Sequence, residues 1–220
     1  MKNILLPVLF AAFGLVAPAV AATTGTPTAA RVAKPTPGVY AVQPQLSTLG
    51  WLAKKVTGQH NGTMQFQSGQ VLVKGSQITG GTFVVNMASM KVEDITDAGS
   101  NAKLLGHLKS EDFFAVDSNP TATFVITSVK PLKGDANGNN ATITGNLTIK
   151  GKTNPLSFAA KTGVKNGIAA ATGTATVDRT KYDIRYRSKS FFESLGDKAI
   201  DDTFTLTFNV IAKADGVAKR

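Results

Sequence analysis

From Gly38 onward apolar and polar residues alternate, and this period of two limits what the chain can fold into more than any other feature. Phe204, Leu206, Phe208, Val210 and Ala212 alternate with Thr203, Thr205, Thr207 and Asn209. Ala141, Ile143, Gly145, Leu147 and Ile149 alternate in the same way with Thr142, Thr144, Asn146 and Thr148. Such a segment is a strand with one apolar face. Eight are read over residues 47–56, 62–73, 77–87, 121–132, 140–150, 153–163, 167–178 and 202–213. The connections suit hairpins: Lys74-Gly75-Ser76, Asp135 to Asn140, Gly151 and Asn166-Gly167.

Eight antiparallel strands in an open sheet leave two unpaired edges, and closure removes both. The expected fold is all-β, an eight-stranded antiparallel barrel roughly 25 Å tall. Ala122, Ala141, Gly145, Ala160, Ala212 and the Ala169-Ala170-Ala171 run place small residues on apolar faces. Small residues inside a barrel leave volume for a slender ligand, while a filled sandwich core stays open as the alternative.

Two segments interrupt the strands. Residues 97–114 carry Ala102, Leu104, Leu105 and Leu108 at helical spacing, with Ser100 as the expected N-cap, so a short helical insertion follows the third strand. Residues 179–199 exceed what a hairpin needs and hold Tyr182, Tyr186, Phe191 and Phe192. A loop of that length in a compact domain is expected to serve function or act as a lid.

Composition excludes several classes. Hydrophobic residues at 42% and charged residues at 17% rule out a disordered polyelectrolyte and a coiled coil. The chain has no cysteine, which removes disulfides, thiolate metal sites and cysteine nucleophiles. Its two histidines, His60 and His107, exclude a three-histidine metal site, and no glycine-rich nucleotide loop occurs. A formal net charge of +10 favours anionic partners without choosing among them.

Lys2, the apolar run Ile4 to Val16 and Ala19-Val20-Ala21 read as a signal peptide over residues 1–21. Residues 22–37, with Pro27, Pro35 and Pro37, read as a flexible leader, and 38–214 as the folded domain. The expected location is the periplasm, and export argues against nucleic acid as the partner.

Four motifs in order carry a resemblance. They are His107-Leu108-Lys109-Ser110-Glu111-Asp112-Phe113-Phe114 with Pro120 to Phe124, and then Thr144-Gly145-Asn146-Leu147-Thr148-Ile149-Lys150-Gly151-Lys152-Thr153. Asp178-Arg179-Thr180-Lys181-Tyr182-Asp183-Ile184-Arg185-Tyr186 and Gly196-Asp197 complete them. Over residues 39–212 the chain resembles the YceI-like family of exported lipid- or polyisoprenoid-binding proteins. The resemblance implies a lipocalin-like barrel around a long apolar tunnel and a bound isoprenoid or fatty-acid-like chain. It implies no established enzymatic activity and no cofactor. Gln43 and Leu46 stand where the family commonly has an aspartate and a histidine, and Ala115 replaces a usual aspartate.

The candidate ligand contacts are Trp51, Phe66, Phe113, Phe114, Phe124, Phe158, Tyr182, Arg185 and Arg187. The aromatics would meet the chain. Arg185 and Arg187, in the basic stretch from Arg179 to Phe192, would form a collar for an anionic headgroup. His107 and Asp112 invite an acid–base reading, but no placed nucleophile accompanies them, and a structural role for the pair is favoured. No catalytic residue and no metal ligand is assigned. The expected function is sequestering or carrying a long-chain amphiphile, with transient contact at a membrane surface. The rivals are a ligand-free, stress-protective envelope protein and a lipid-modifying enzyme using His107 and Asp112. The sequence leaves the oligomeric state open, a homodimer among the options.

Overall fold

The computed structural model describes residues 38–214. The expected signal peptide and leader lie outside the described residues. Nine strands form one antiparallel sheet: β1 (Gly38–Val42), β2 (Thr48–Lys55), β3 (Gly58–Lys74), β4 (Gln77–Val92), β5 (Thr121–Pro131), β6 (Ala141–Ile149), β7 (Lys152–Lys165), β8 (Ile168–Asp178) and β9 (Ile200–Ala214). The order is β1-β3-β2-β9-β8-β7-β6-β5-β4, and the β3–β4 and β1–β9 pairings close it.

Nine strands still make an eight-stranded barrel. β1 pairs Gly38–Ala41 with the far end of β3 and Tyr40–Val42 with the end of β9. β2 pairs with the remaining parts of the same two neighbours. The two therefore lie end to end as one staved strand, broken by the 3-10 turn Pro44–Leu46. Ser47 repairs the break: its hydroxyl donates to the Gln43 carbonyl at 2.8 Å and accepts from the Ile211 amide at 3.0 Å. The sequence reading begins its first strand at 47 and misses β1, because Pro44 interrupts the alternation after only five residues.

The other strands follow from their patterns. β6 alternates without exception, burying Ala141, Ile143, Gly145, Leu147 and Ile149. At the β7–β8 hairpin Asn166 and Gly167 both take positive φ (50° and 73°), as a two-residue hairpin turn requires, and asparagine and glycine tolerate that conformation best.

Helix α1 (Ala98–Lys109) is shorter than the expected 97–114. Its N-cap is Asp97, not Ser100: the Asp97 carboxylate accepts from the Ser100 amide at 2.7 Å. The Ser100 hydroxyl first, and its amide second, hold the Asp97 carboxyl below the usual range. Asn101 donates to the Val92 and Ile95 carbonyls, both at 2.9 Å, and the Lys109 ammonium donates to the Ala88 carbonyl. These bonds anchor α1 to β4. The helix, the turns after it and residues 179–199 all lie at one end of the barrel, called here the capped end. The opposite end carries the β3–β4, β5–β6 and β7–β8 connections.

Candidate functional site

Inside the barrel the apolar faces do not close on one another. They leave a cavity in which the centre of a water molecule could reach about 120 Å³. At roughly 10–15 Å³ per water-sized group, this holds about eight to twelve such groups. Thr123 is the single residue in the wall with a polar side chain.

Five phenylalanines form a belt around part of this wall. Phe66 on β3, Phe83 on β4, Phe124 on β5, Phe158 on β7 and Phe208 on β9 follow one another with ring centroids 5.3–6.5 Å apart. The two strands skipped by the belt carry glycine beneath a neighbouring ring. A Cβ on Gly145 in β6 would lie 2.5 Å from Phe124 Cζ and 2.5 Å from the Val125 oxygen. One on Gly173 in β8 would lie 2.9 Å from Phe208 Cζ. Here the sequence expectation is reversed. Gly145, Ala141, Ala160 and Ala212 do not line the cavity, and the space at Gly145 is filled by Phe124. The cavity is bounded by large side chains, with Ala122 and Ala171 as the small residues among those expected to leave room.

A second, smaller cavity of about 50 Å³ by the same measure lies toward the capped end. Trp51, Phe113 and Leu108 line it, along with Arg179 and Asp201. Met64, Phe114 and Phe204 border both spaces. Trp51 is held by its indole N–H, which donates to the Lys91 carbonyl at 3.1 Å.

The nine expected contacts therefore divide. Phe66, Phe114, Phe124 and Phe158 face the main cavity, and Trp51 and Phe113 face the second. Tyr182, Arg185 and Arg187 face neither. Tyr182 is 2% exposed and belongs to the packed core, where burial, aided by the Asp178 charge, pushes its hydroxyl up to about 12. Arg185 Nε lies 2.7 Å from Asp183 Oδ1, and its guanidinium stacks on Phe191. Arg187 stacks on Tyr186. Each arginine of the expected headgroup collar thus has a partner on its own loop. Phe83, Phe204 and Phe208 also face the main cavity and are not among the expected contacts, although the alternation places 204 and 208 on one apolar face.

The capped end is held by a motif residue to which the sequence assigns no role, Arg179. Arg179 is 4% exposed. Its Nη1 donates to the Ile184 carbonyl at 2.8 Å, its Nε to Asp201 at 2.9 Å and its Nη2 to Ile200 at 3.0 Å. Asp202 Oδ1 lies 3.6 Å from Nη2 and has no hydrogen-bond partner among the described residues, while Oδ2 accepts from the Ser190 hydroxyl at 2.5 Å. Burial raises the Asp202 carboxyl, but the neighbouring Ser188 and Ser190 hydroxyls and the Arg179 charge outweigh it and hold it below the usual range. Residues 179–199 are thereby clamped to the start of β9.

His107 Nε2 lies 3.0 Å from Asp112 Oδ2, and its ring meets Phe113 and Tyr186 edge-on at 5.0 and 4.6 Å. The pair lines neither cavity. His60 Nδ1 lies 2.7 Å from Asp94 Oδ2. Among the described residues no group of three or more His, Cys, Asp or Glu side chains is gathered as a metal would need.

This barrel and its motifs match a known family, the YceI-like domain, over residues 40–212. The chain belongs to the YceI-like family. Over 55 residues it is 54% identical to a UPF0312 protein of Pseudomonas aeruginosa, a match covering 25% of this chain and 26% of that one. It is 44% identical over 55 residues, with the same coverage, to a UPF0312 protein of Pectobacterium atrosepticum. The chain thus spans about a quarter of the length of the curated relatives it matches. Among solved structures, BcnA of Burkholderia cenocepacia superposes with a TM-score of 0.60 at 20% identity, covering 78% of this chain and 99% of that one. A polyisoprenoid binding domain from Saccharophagus degradans superposes at 0.54 and 12% identity, covering 80% and 98%. At these identities the likeness is one of fold. No helix among the described residues is long and apolar enough to cross a membrane.

Proposed function

We propose that this protein binds a long-chain amphiphile, an isoprenoid or fatty-acid-like lipid, with the chain buried in the barrel. The reading rests on the cavity wall, in which a single side chain, that of Thr123, is polar. Burying a methylene is worth about 0.8 kcal/mol, so ten carbons contribute ~8 kcal/mol before ordering costs are subtracted. A wall without directional groups selects for length and girth, and the headgroup stays outside it. The position of His107 and Asp112 off both cavity walls favours binding over lipid chemistry, and an unfilled interior favours a carrier over a ligand-free structural barrel. Its place would be the periplasm, following export, with brief contacts at a membrane surface to load and unload.

The test is organic extraction of the purified protein followed by mass spectrometry, with titration of a fatty acid into the stripped protein. A co-purifying long-chain amphiphile, or saturable uptake of the added one, is the expected result. A protein that carries none and takes up none would overturn the reading.

A further inference from the structure

The two cavities share a wall of Met64, Phe114 and Phe204. Phe114 meets Phe204 edge-on, with ring centroids 6.3 Å apart and planes at 89°. It stands on no strand but in the turn that follows α1, and that turn is held rigidly. The Phe114 amide donates to the Leu108 carbonyl, the Ala115 amide to Ser110, and the Val116 amide to Lys109. Ala115, the next residue, is 2% exposed and takes φ of 46°, a left-handed conformation that alanine adopts only where its surroundings impose it. A turn with a buried left-handed alanine and these three backbone bonds is a poor hinge and a good mount. Phe114 thus stands on a well-held backbone at the border of the two spaces.

We propose that Phe114 is the stop that sets how long an apolar chain the barrel accepts, and that the space behind it is an unused extension of the same tunnel. This rests on the lipid-binding reading above. Most of the second cavity's lining is apolar, led by Trp51, Leu108, Phe113 and Ile184. The guanidinium at its far side is already engaged by three carbonyls. The space therefore suits the methyl end of a chain, and its polar lining is confined to Arg179, Asp201 and Thr203. At about 50 Å³ it has room for roughly four more water-sized groups. Each extra buried methylene tightens binding about fourfold.

The experiment is titration of straight-chain fatty acids, stepped two carbons at a time, into the wild type and into Phe114→Ala. In the wild type, affinity should rise with length and then level once the main cavity is filled. In Phe114→Ala the rise should continue for at least roughly four more carbons, since the vacated ring adds to the room of the second cavity. Phe114→Leu, which keeps an apolar side chain in the turn, should give a smaller extension if the alanine variant folds poorly. Adding Ala53→Leu to Phe114→Ala refills the second cavity and should bring the limit back. The same plateau length in wild type, Phe114→Ala and Phe114→Leu would overturn the stop while leaving lipid binding intact. An extension that Ala53→Leu does not shorten would overturn the assignment of the second cavity as the added space. If the wild type binds no chain of any length, the underlying reading falls and the stop falls with it.

Discussion

Along the barrel wall the inward side chains are phenylalanine and aliphatic residues, whereas at the capped end residues 179–199 turn a guanidinium inward. The wall is held by ladder hydrogen bonds and by rings seated over glycines at Gly145 and Gly173. The cap is held by one buried cation that reaches three carbonyls from two chain segments. Apolar contacts are non-directional, so the wall can surround a void and accept chains that differ in detail. Charge-assisted hydrogen bonds are directional, so the cap has a single geometry and closes its end of the barrel in one way. Stability at the cap and selectivity at the wall thus rest on different chemistry, and substitutions can separate them.

The largest effect should come from the cap. Arg179→Met keeps much of the side chain's length but takes the Arg179 donors from one buried and two partly buried carbonyls and leaves Asp202 without its cation. Removing one partner of a buried, hydrogen-bonded charge typically costs ~3–5 kcal/mol. Chemical denaturation should show a loss of that order. Lysine should not rescue it, since one ammonium cannot span carbonyls on both segments. A loss under about 1 kcal/mol would mean that the cap is held by its apolar core, around Tyr182 and Ile184, and the contrast with the wall would collapse.

A smaller effect should separate two glycines of the wall itself. Gly145→Ala pushes a methyl into the Phe124 ring and the Val125 oxygen, both at 2.5 Å. Overpacking of this kind costs ~1–3 kcal/mol. Gly163→Ala on β7 meets nothing within 4 Å and should be neutral or slightly stabilising, because alanine gives up less backbone freedom on folding. Thermal unfolding of both variants checks this. Equal stabilities would show that the ring over Gly145 moves aside freely and that the wall is softer than its geometry implies.

The wall was largely legible in the sequence and the cap was not, for a physical reason. Alternation is a local property, so β6 and β9 could be read residue by residue, and closure followed from the need to hide edges. The break at Pro44 hid β1, since five residues give too few alternations to stand out. Gly145 looked like open space because sequence shows that a side chain is missing and not what leans into the gap. Arg179 stood in a family motif and in a basic stretch, and neither showed that it is buried. Its partners are backbone carbonyls of Ile184, Ile200 and Asp201, which carry no residue-type signal at all. For the same reason Phe114 could be picked as an aromatic near a ligand, but its position between two cavities could not.

The smallest expected effect lies on the outer face of the cap, where charge patterning alone suggested a headgroup site. Arg185 is 58% exposed, pairs with Asp183 and stacks on Phe191, and Arg187 stacks on Tyr186. An exposed pair of this kind contributes about 0–1 kcal/mol and is screened by salt. Both side chains also lie at the end of the barrel that Arg179 closes and border neither cavity. Replacing both with alanine should leave the affinities for a phosphate-headed lipid and for a neutral lipid of equal chain length unchanged within about twofold, at low and at high salt. Stability should fall by less than about 1 kcal/mol. A selective loss for the phosphate lipid that shrinks as salt rises would place the headgroup at the capped end. It would then reverse the direction in which the chain lies, putting its polar end, rather than its methyl end, nearest Phe114.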